Sequence, residues 1–201
     1  RATVATGIIV VTRTGVAGAL VAGITVNPDA VPGAVIDVDA VIQINNTPTQ
    51  LTRSNVIVGG VSRTIDLAPM SLLVQVGLPG DPFEIEIFGQ QLSGVAVFEQ
   101  RKTAAGAKIV RIAFTEVCLF IGDPGPTSAD TDDIGLRLTG GLGAFVITPN
   151  GTAGEVSGAV ALVGLPLRIQ AELTLQLNSI QVAGQGVVVT EVFQFAGVTV
   201  V

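Results

Sequence analysis

Apolar and polar residues alternate with a period of two over long stretches of this chain. In residues 167–178 (LRIQAELTLQLN) every odd position is apolar and every even position is polar. Residues 83–87 alternate in the same way, and most of residues 34–45 alternate with the even positions apolar. Successive side chains of a strand point to opposite faces, so the pattern predicts half-buried strands with their apolar side chains inward. The side chains predicted to face inward are Ile36, Val38, Ala40, Ile42 and Ile44 in residues 34–45, and Phe83, Ile85 and Ile87 in residues 83–87.

Turn-forming residues separate these alternating segments. Pro-Gly, Gly-Gly, Asn-Gly and Gly-Asp-Pro clusters recur along the chain, for example at residues 32–33, 59–60, 79–82, 122–126 and 150–151. No window of a dozen residues shows the 3.6-residue apolar period of a helix. One polar face on each strand favours antiparallel pairing, so the predicted fold class is all-β with antiparallel strands.

One segment of the chain occurs twice. GIIVVTRTGVAG (residues 7–18) aligns without gaps with GAFVITPNGTAG (residues 143–154), an offset of 136 residues, and the two are identical at six positions. After a shift of three residues, IQINN (residues 42–46) aligns with LQLNS (residues 175–179), and residues 89–97 more weakly resemble residues 154–160. The chain is therefore interpreted as internal repeats of about 136 residues, or half-units of about 65 to 70.

These repeats divide the chain into three segments. Residues 7–66 form a first half-unit, residues 67–142 a second, divergent half-unit, and residues 143–201 a repeat of the first. Repeats of this kind bury their apolar faces on one another, which predicts an elongated antiparallel β-sandwich or a β-solenoid-like body. Because the chain starts and ends at the same point of its cycle, we expect a segment of a tandem array or a subunit whose end mimics its neighbour.

Composition removes several classes of function. The chain has 201 residues, 48% of them hydrophobic, with no histidine, one cysteine and a net charge of −6. Without histidine it lacks the commonest general base and the commonest ligand of catalytic zinc, so we expect no enzyme. Its ten Lys and Arg are scattered, which disfavours nucleic acid as a partner, and its uncharged stretches are interrupted by polar residues and Gly, which predicts no membrane span. Cys118 lies in an apolar run and is predicted to be a small buried side chain.

The acidic loop at residues 122–135 is the strongest candidate for chemistry. It carries four carboxylates among Pro, Gly, Ser and Thr residues: Asp123, Asp130, Asp132 and Asp133. Hard oxygen ligands suit Ca²⁺. A solvated surface loop explains the same composition, because these residues are turn formers, and the spacing does not match the twelve-residue calcium loop between helices. The sequence therefore leaves two possibilities open: the loop binds calcium, or the chain has no cofactor.

Three weaker patterns have structural explanations. Two carboxylate pairs, Asp37 with Asp39 and Glu84 with Glu86, have the spacing of neighbours on one strand face and are interpreted as a wet sheet surface rather than an acid and a base. The GGLG cluster at residues 140–143 is interpreted as a strand turn, because no helix follows it to bind a phosphate. The NNT and NGT triplets at residues 45–47 and 150–152 match the glycosylation spacing and predict surface positions.

Three runs of the sequence resemble a known family. FGQQLSGVAVFEQ (residues 88–100), LFIGD (residues 119–123) and GAFVITPNGTAGEVSG (residues 143–158) look like the tandem repeats of very large secreted bacterial surface proteins, adhesin-like or calcium-repeat-containing. The likeness covers most of the chain from Gly7 onward. It implies an extracellular or cell-surface location and stacked β units, while the acidic loop lacks the glycine-rich nonapeptide of calcium-binding β-rolls.

Two functions are expected from these observations. The first is a non-catalytic structural protein that self-assembles, with copies of itself or neighbouring repeats, into an extracellular fibre, sheath or cell-surface stalk. The alternative is a calcium-stiffened adhesin or spacer domain of a large surface protein that binds a glycan or another cell-surface or matrix ligand. The chain has no Trp or Tyr to stack on a sugar, which favours the first.

Overall fold

The computed structural model describes residues 6–26, 29, 33–58, 61–103, 106–126, 132–166, 170–180, 193–195 and 198–200. All regular secondary structure in these ranges is β, so the all-β prediction is confirmed. The same ranges contain no helix with the length and hydropathy needed to cross a bilayer. The strands are β1 (Thr6–Thr12), β2 (Gly15–Val26), β3 (Ala34–Asn45), β4 (Leu51–Val58), β5 (Val61–Leu67), β6 (Ser71–Val76), β7 (Phe83–Ile87), β8 (Gln90–Lys102), β9 (Lys108–Asp123), β10 (Ile134–Thr148), β11 (Gly151–Val163), β12 (Gln170–Asn178), β13 (Phe193–Phe195) and β14 (Val198–Val200).

Ten of these strands form one antiparallel sheet. Its order is β1-β2-β3-β6-β8-β9-β10-β11-β12, and β7 pairs with both β3 and β8 next to β6. The pairs β4–β5 and β13–β14 form separate two-stranded sheets. The strands follow chain order closely because short turns join antiparallel neighbours.

The predicted strands at residues 34–45 and 83–87 are confirmed as β3 and β7. The third predicted strand is β12, which begins at Gln170; residues 167–169 lie outside the described residues. The boundaries proposed between residues 66 and 67 and between residues 142 and 143 fall within β5 and β10. All three proposed segments contribute strands to the same large sheet.

The cross-strand pairs define two faces of the large sheet. Face A contains Ala17 and the residues in register with it, such as Asn45, Ser71, Arg101 and Ile109. Face B contains the alternate residues, such as Leu20, Ile42, Val74, Phe98 and Ile112. Face B is built from bulky apolar side chains, whereas face A mixes small, polar and charged ones.

The fully buried residues of this sheet do not lie on the face that the alternation predicted. The buried residues of the large sheet, apart from glycines, lie on face A: Ala17, Ala19, Val41, Asn45, Val95, Ala113, Thr115, Phe120, Ala144, Val146 and Ala153. The prediction that Ile36 to Ile44 face inward is wrong for Ile44, which is 39% exposed, while the others are half-buried; the fully buried residues of β3 are Val41 and Asn45, on the other face. Alternation shows only that the faces differ, because burial depends on what packs against each of them.

The β4–β5 hairpin supplies packing partners at one end of face A. Leu67 of β5 packs with Ala17 and Ala19 of β2, and Leu51 lies against this cluster. Gln50 and Thr52 donate hydrogen bonds to the Asp66 carboxylate, and these lower the pKa of Asp66 from its ordinary 3.8. Because the folded pKa is depressed, the carboxylate favours the folded hairpin at neutral pH, and this contribution is lost as the pH falls through the folded pKa.

A second buried cluster lies further along face A. Val95, Ala113 and Ala144 are buried together, with Val97 packed against them. Their longer neighbours on the same face include Glu99 and Arg111, which face each other across β8 and β9 with 3.8 Å between charged atoms. Small side chains between long neighbours lose access to solvent, which explains why alanine is buried on this face.

Candidate functional site

The acidic loop does not gather its carboxylates into a metal centre among the described residues. Asp130 lies outside the described residues, and Asp123 is exposed at the end of β9, opposite Ile134. Asp132 lies against Gly125, where a Cβ atom would come within 2.7 Å of the Asp132 carboxyl carbon. No group of three acidic, Cys or His side chains suited to a metal ion occurs in the described part of the chain.

Asp133 already has a cationic partner. It is buried at the start of β10, and its carboxylate accepts a hydrogen bond from the Arg137 guanidinium. The same guanidinium lies over the Phe120 ring, 5.4 Å from its centroid. A carboxylate held by an arginine in this way stabilises the start of β10 and has less charge to offer a cation. Sequence inspection missed Arg137, whose only signal was its polar position between two leucines.

Strand pairing brings the two carboxylate pairs together. Asp37 of β3 lies directly opposite Glu84 of β7, and Asp39 and Glu86 lie on the same face A. Thr25 donates a hydrogen bond to Asp37 at 3.2 Å, while Asp37, Asp39 and Glu84 are exposed. The cluster is therefore an acidic patch in contact with solvent, because three of its four carboxylate residues are exposed and Glu86 is half-buried.

Several single-residue predictions are corrected by the structure. Cys118 is exposed rather than buried. The GGLG cluster at residues 140–143 lies within β10, where the pairing register shifts on both sides, so it forms a bulge instead of a turn. Asn150 is exposed at the β10–β11 turn as predicted, but Asn45 is fully buried.

Asn45 is the centre of a buried polar network that the glycosylation pattern concealed. Its amide donates to the carbonyl oxygens of Thr49 and Leu67, and its Oδ1 accepts from the backbone N–H and the hydroxyl of Thr47. These bonds tie the end of β3 to the turn that follows and to the end of the β4–β5 hairpin. A glycan on Asn45 is incompatible with this network.

The most distinctive surface of the molecule is face B. Thirteen of the eighteen large apolar side chains that the described residues expose lie on it: Ile9, Val11, Ile24, Ile44, Ile87, Leu92, Ile121, Ile134, Leu136, Ile147, Leu173, Leu175 and Leu177. They extend from edge strand β1 to edge strand β12. A patch of this extent on a soluble surface marks an interaction site or an aggregation site.

Charge is segregated away from face B. Away from the strand ends and the bulge at Glu116, the described strands place no charged residue there, and Lys102, Lys108 and Asp123 lie at the ends. Face A carries ten charged residues: Asp37, Asp39, Glu84, Glu86, Glu99, Arg101, Arg111, Arg137, Glu155 and Glu172. Face B therefore suits an apolar partner, since an interface with it would leave no charge unpaired.

The two ends of the large sheet have the same pairing register. Thr12 pairs with Gly15 and Gly18 with Ile44 at one end; at the other, Thr148 pairs with Gly151 and Gly154 with Leu177. These positions are the ones that align in the sequence. Both turns also need glycine, because Gly15 (φ 150°) meets Asn46 and Gly151 (φ 136°) meets Ser179 in a space too small for a Cβ atom.

No family model, curated protein or solved structure matches this chain.

Proposed function

We propose that this chain is a non-catalytic structural protein, a β-repeat unit that assembles with copies of itself or with neighbouring repeats into an extracellular fibre, sheath or cell-surface stalk. The observation that carries the proposal is the apolar face B, which extends across the large sheet with its charges confined to strand ends and the bulge at Glu116, while ten charged residues lie on face A. The matching registers at the two ends of the sheet support a repeated unit.

The exposed apolar area of face B is comparable with that of a specific protein interface. Full burial of one Leu or Ile side chain is worth about 1.5–3 kcal/mol, or roughly 60–120 Å² at about 25 cal/mol per Å². The thirteen exposed side chains are about half exposed, so they offer roughly 400–800 Å² per copy. Two such faces together approach the total of about 1,200–2,000 Å² buried in specific protein interfaces.

A pair of neighbouring residues on β12 tests this role for face B. Leu175 lies on face B and is 62% exposed, whereas Thr174 lies on face A of the same strand and is also exposed. We expect Leu175→Glu to lower the ratio of assembled protein to monomer at least tenfold, because assembly would bury an unpaired charge. Thr174→Glu should leave the size distribution unchanged. Ile9→Glu, on face B of β1, should act like Leu175→Glu.

Light scattering behind size exclusion, with electron microscopy of the same peak, measures the outcome. Filaments or large species in the wild type, lost in both face-B variants and kept in Thr174→Glu, support the proposal. A wild-type monomer of 20.4 kDa over the whole accessible concentration range contradicts it.

A further inference from the structure

The outer edge of β12 has no pairing strand among the residues that the structure describes. Among the described residues the sheet order ends at β12, and no described strand pairs with its far side. The strand is nine residues long and every one of its residues is exposed. It contains no Pro, no Lys and a single charge, Glu172, so it lacks the devices that normally protect an edge from pairing.

Hydrogen-bond alternation shows which backbone groups of β12 face that edge. The Ser179 N–H donates to the Thr152 carbonyl of β11 at 2.7 Å. Along an antiparallel strand, successive residues point their backbone N–H and C=O groups alternately toward and away from the partner strand. The N–H groups of Leu177, Leu175 and Leu173 therefore also point toward β11. The N–H and C=O groups of Gln176, Thr174 and Glu172 consequently point away from β11, toward the outer edge.

The corresponding edge at the other end of the sheet is occupied. β3 pairs with β2 in the register in which β12 pairs with β11, and the Asn46 N–H donates to Val16 just as the Ser179 N–H donates to Thr152. The far side of β3 pairs with β6, in the register Gln43 with Leu73 and Val41 with Gln75. Beyond β6 the Gly77 N–H continues this ladder to the Asp39 carbonyl at 2.7 Å.

We infer that the outer edge of β12 binds a β6-like strand from a neighbouring repeat unit, in the register that β6 has on β3. Gln176 then lies opposite the position of Leu73, Thr174 opposite that of Gln75, and Glu172 opposite that of Gly77. On face B, Leu177, Leu175 and Leu173 lie opposite the positions of Leu72, Val74 and Val76, so the added strand continues the apolar face. This inference rests on the proposed function and names the partner strand for one of its contacts.

The test uses a fluorescent peptide with the sequence of residues 69–77, titrated against the full chain and followed by anisotropy. The Ile9→Glu chain serves as the assay protein if the wild type assembles, because β1 lies at the opposite edge from β12. We expect the peptide to bind saturably to the wild-type edge, and we expect Thr174→Pro to lower its affinity at least tenfold. Proline is tolerated where the N–H faces an open edge, so this variant should fold while losing a ladder hydrogen bond and placing its ring in the way.

Two controls separate edge pairing from other modes of binding. Thr174→Val keeps the backbone N–H and should bind the peptide as the wild type does. A peptide N-methylated at Leu73 and Gln75 cannot donate its ladder hydrogen bonds and should bind at least tenfold more weakly. Circular dichroism of Thr174→Pro should match the wild type; if it does not, the N-methylated peptide on the wild-type chain decides the question alone.

A disulfide trap tests the register. In a Cys118→Ser background, Leu175→Cys should couple with a peptide carrying Val74→Cys and much more slowly with one carrying Leu72→Cys. Positions 175 and 74 would form a non-hydrogen-bonded antiparallel pair, with Cα atoms about 4.5 Å apart, within the range that a disulfide spans.

The outcomes distinguish this inference from the proposed function. No binding of the peptide, undiminished binding to Thr174→Pro that folds normally, or coupling in another register each overturns the edge pairing. If any one of these results is obtained while the wild type still assembles through face B, the proposed structural role stands without this contact. If the peptide binds in register to a chain that stays monomeric, the edge pairs as inferred and self-assembly of this chain alone is wrong.

Discussion

At the scale of single residues, polar side chains in this protein mainly hold the fold. Asn45 is fully buried and makes four hydrogen bonds that join β3, the following turn and the β4–β5 hairpin. Asp133 is buried against Arg137, whose charge also lies over Phe120. Residue type alone left a surface position at Asn45 and a calcium ligand at Asp133 open, because Asn and Asp serve several purposes and only their neighbours distinguish them.

We expect Asn45→Ala to lower the free energy of unfolding by about 2–4 kcal/mol. The change removes the Asn45 partner of the Leu67 carbonyl and of the Thr47 N–H, whose bonds to Asn45 are buried, and each such buried group costs about 1–3 kcal/mol. Urea unfolding followed by circular dichroism measures the effect. The exposed Asn150 of the other triplet is the control, and Asn150→Ala should change stability by less than about 0.5 kcal/mol. Equal effects of the two substitutions would contradict this account of Asn45.

At the scale of elements, the described residues between β9 and β10 make contacts with the neighbouring strands. Asp132 lies against Gly125, the backbone of Asp133 approaches Gly164, and the Asp133 side chain binds Arg137. These contacts connect the loop to β10 and to the end of β11. They give Asp132 and Asp133 contacts within the protein, whereas four carboxylates close together in sequence left calcium open.

Calcium should therefore leave the stability of the chain unchanged. We expect the melting temperature in millimolar Ca²⁺ and in chelator to agree within about 1 °C. Asp133→Asn should lower it in both solutions, by the equivalent of about 1–3 kcal/mol, because Arg137 loses a partly buried partner. Differential scanning calorimetry tests both statements. A rise of several degrees with Ca²⁺ that disappears in Asp133→Asn would restore the calcium-stiffened adhesin as the better function.

At the scale of the whole molecule, apolar surface and charge are sorted onto opposite faces of one sheet. Face B exposes Leu, Ile and Val side chains from β1 to β12, and face A carries ten charged residues and the buried clusters. A monomer in water gains nothing from this arrangement. It becomes favourable when face B is covered, and for this reason a role in assembly is the function that the surface supports best.

Assembly through face B should respond to the type of salt more than to its amount. Raising NaCl from 50 to 500 mM should change the assembled fraction by less than about twofold, because screening acts on charges that this face lacks. Sulfate at equal ionic strength should increase assembly, since it strengthens apolar burial. Light scattering at fixed protein concentration measures both. Dissociation in NaCl would instead indicate a contact through the charged face A.

The alternating pattern determined the class of fold and the position of several strands, because side-chain period two is a local property of an extended backbone. Residues 34–45 and 83–87 are strands with the bounds that the pattern predicted, and no helix occurs in the described part of the chain. The turn at residues 150–151 was also predicted, and there Gly151 occupies a backbone conformation that other residues rarely adopt.

Only the tertiary structure decided which face of the sheet is buried and which residues meet. Alternation is symmetric between the two faces, so it cannot say that Ala17 and Val41 are buried while Leu175 and Ile9 are exposed. Asp37 meets Glu84 through the pairing of β3 with β7, a contact set by the register of strands far apart in the chain. Local sequence specifies the strand, and packing and register, which depend on the whole chain, specify its surroundings.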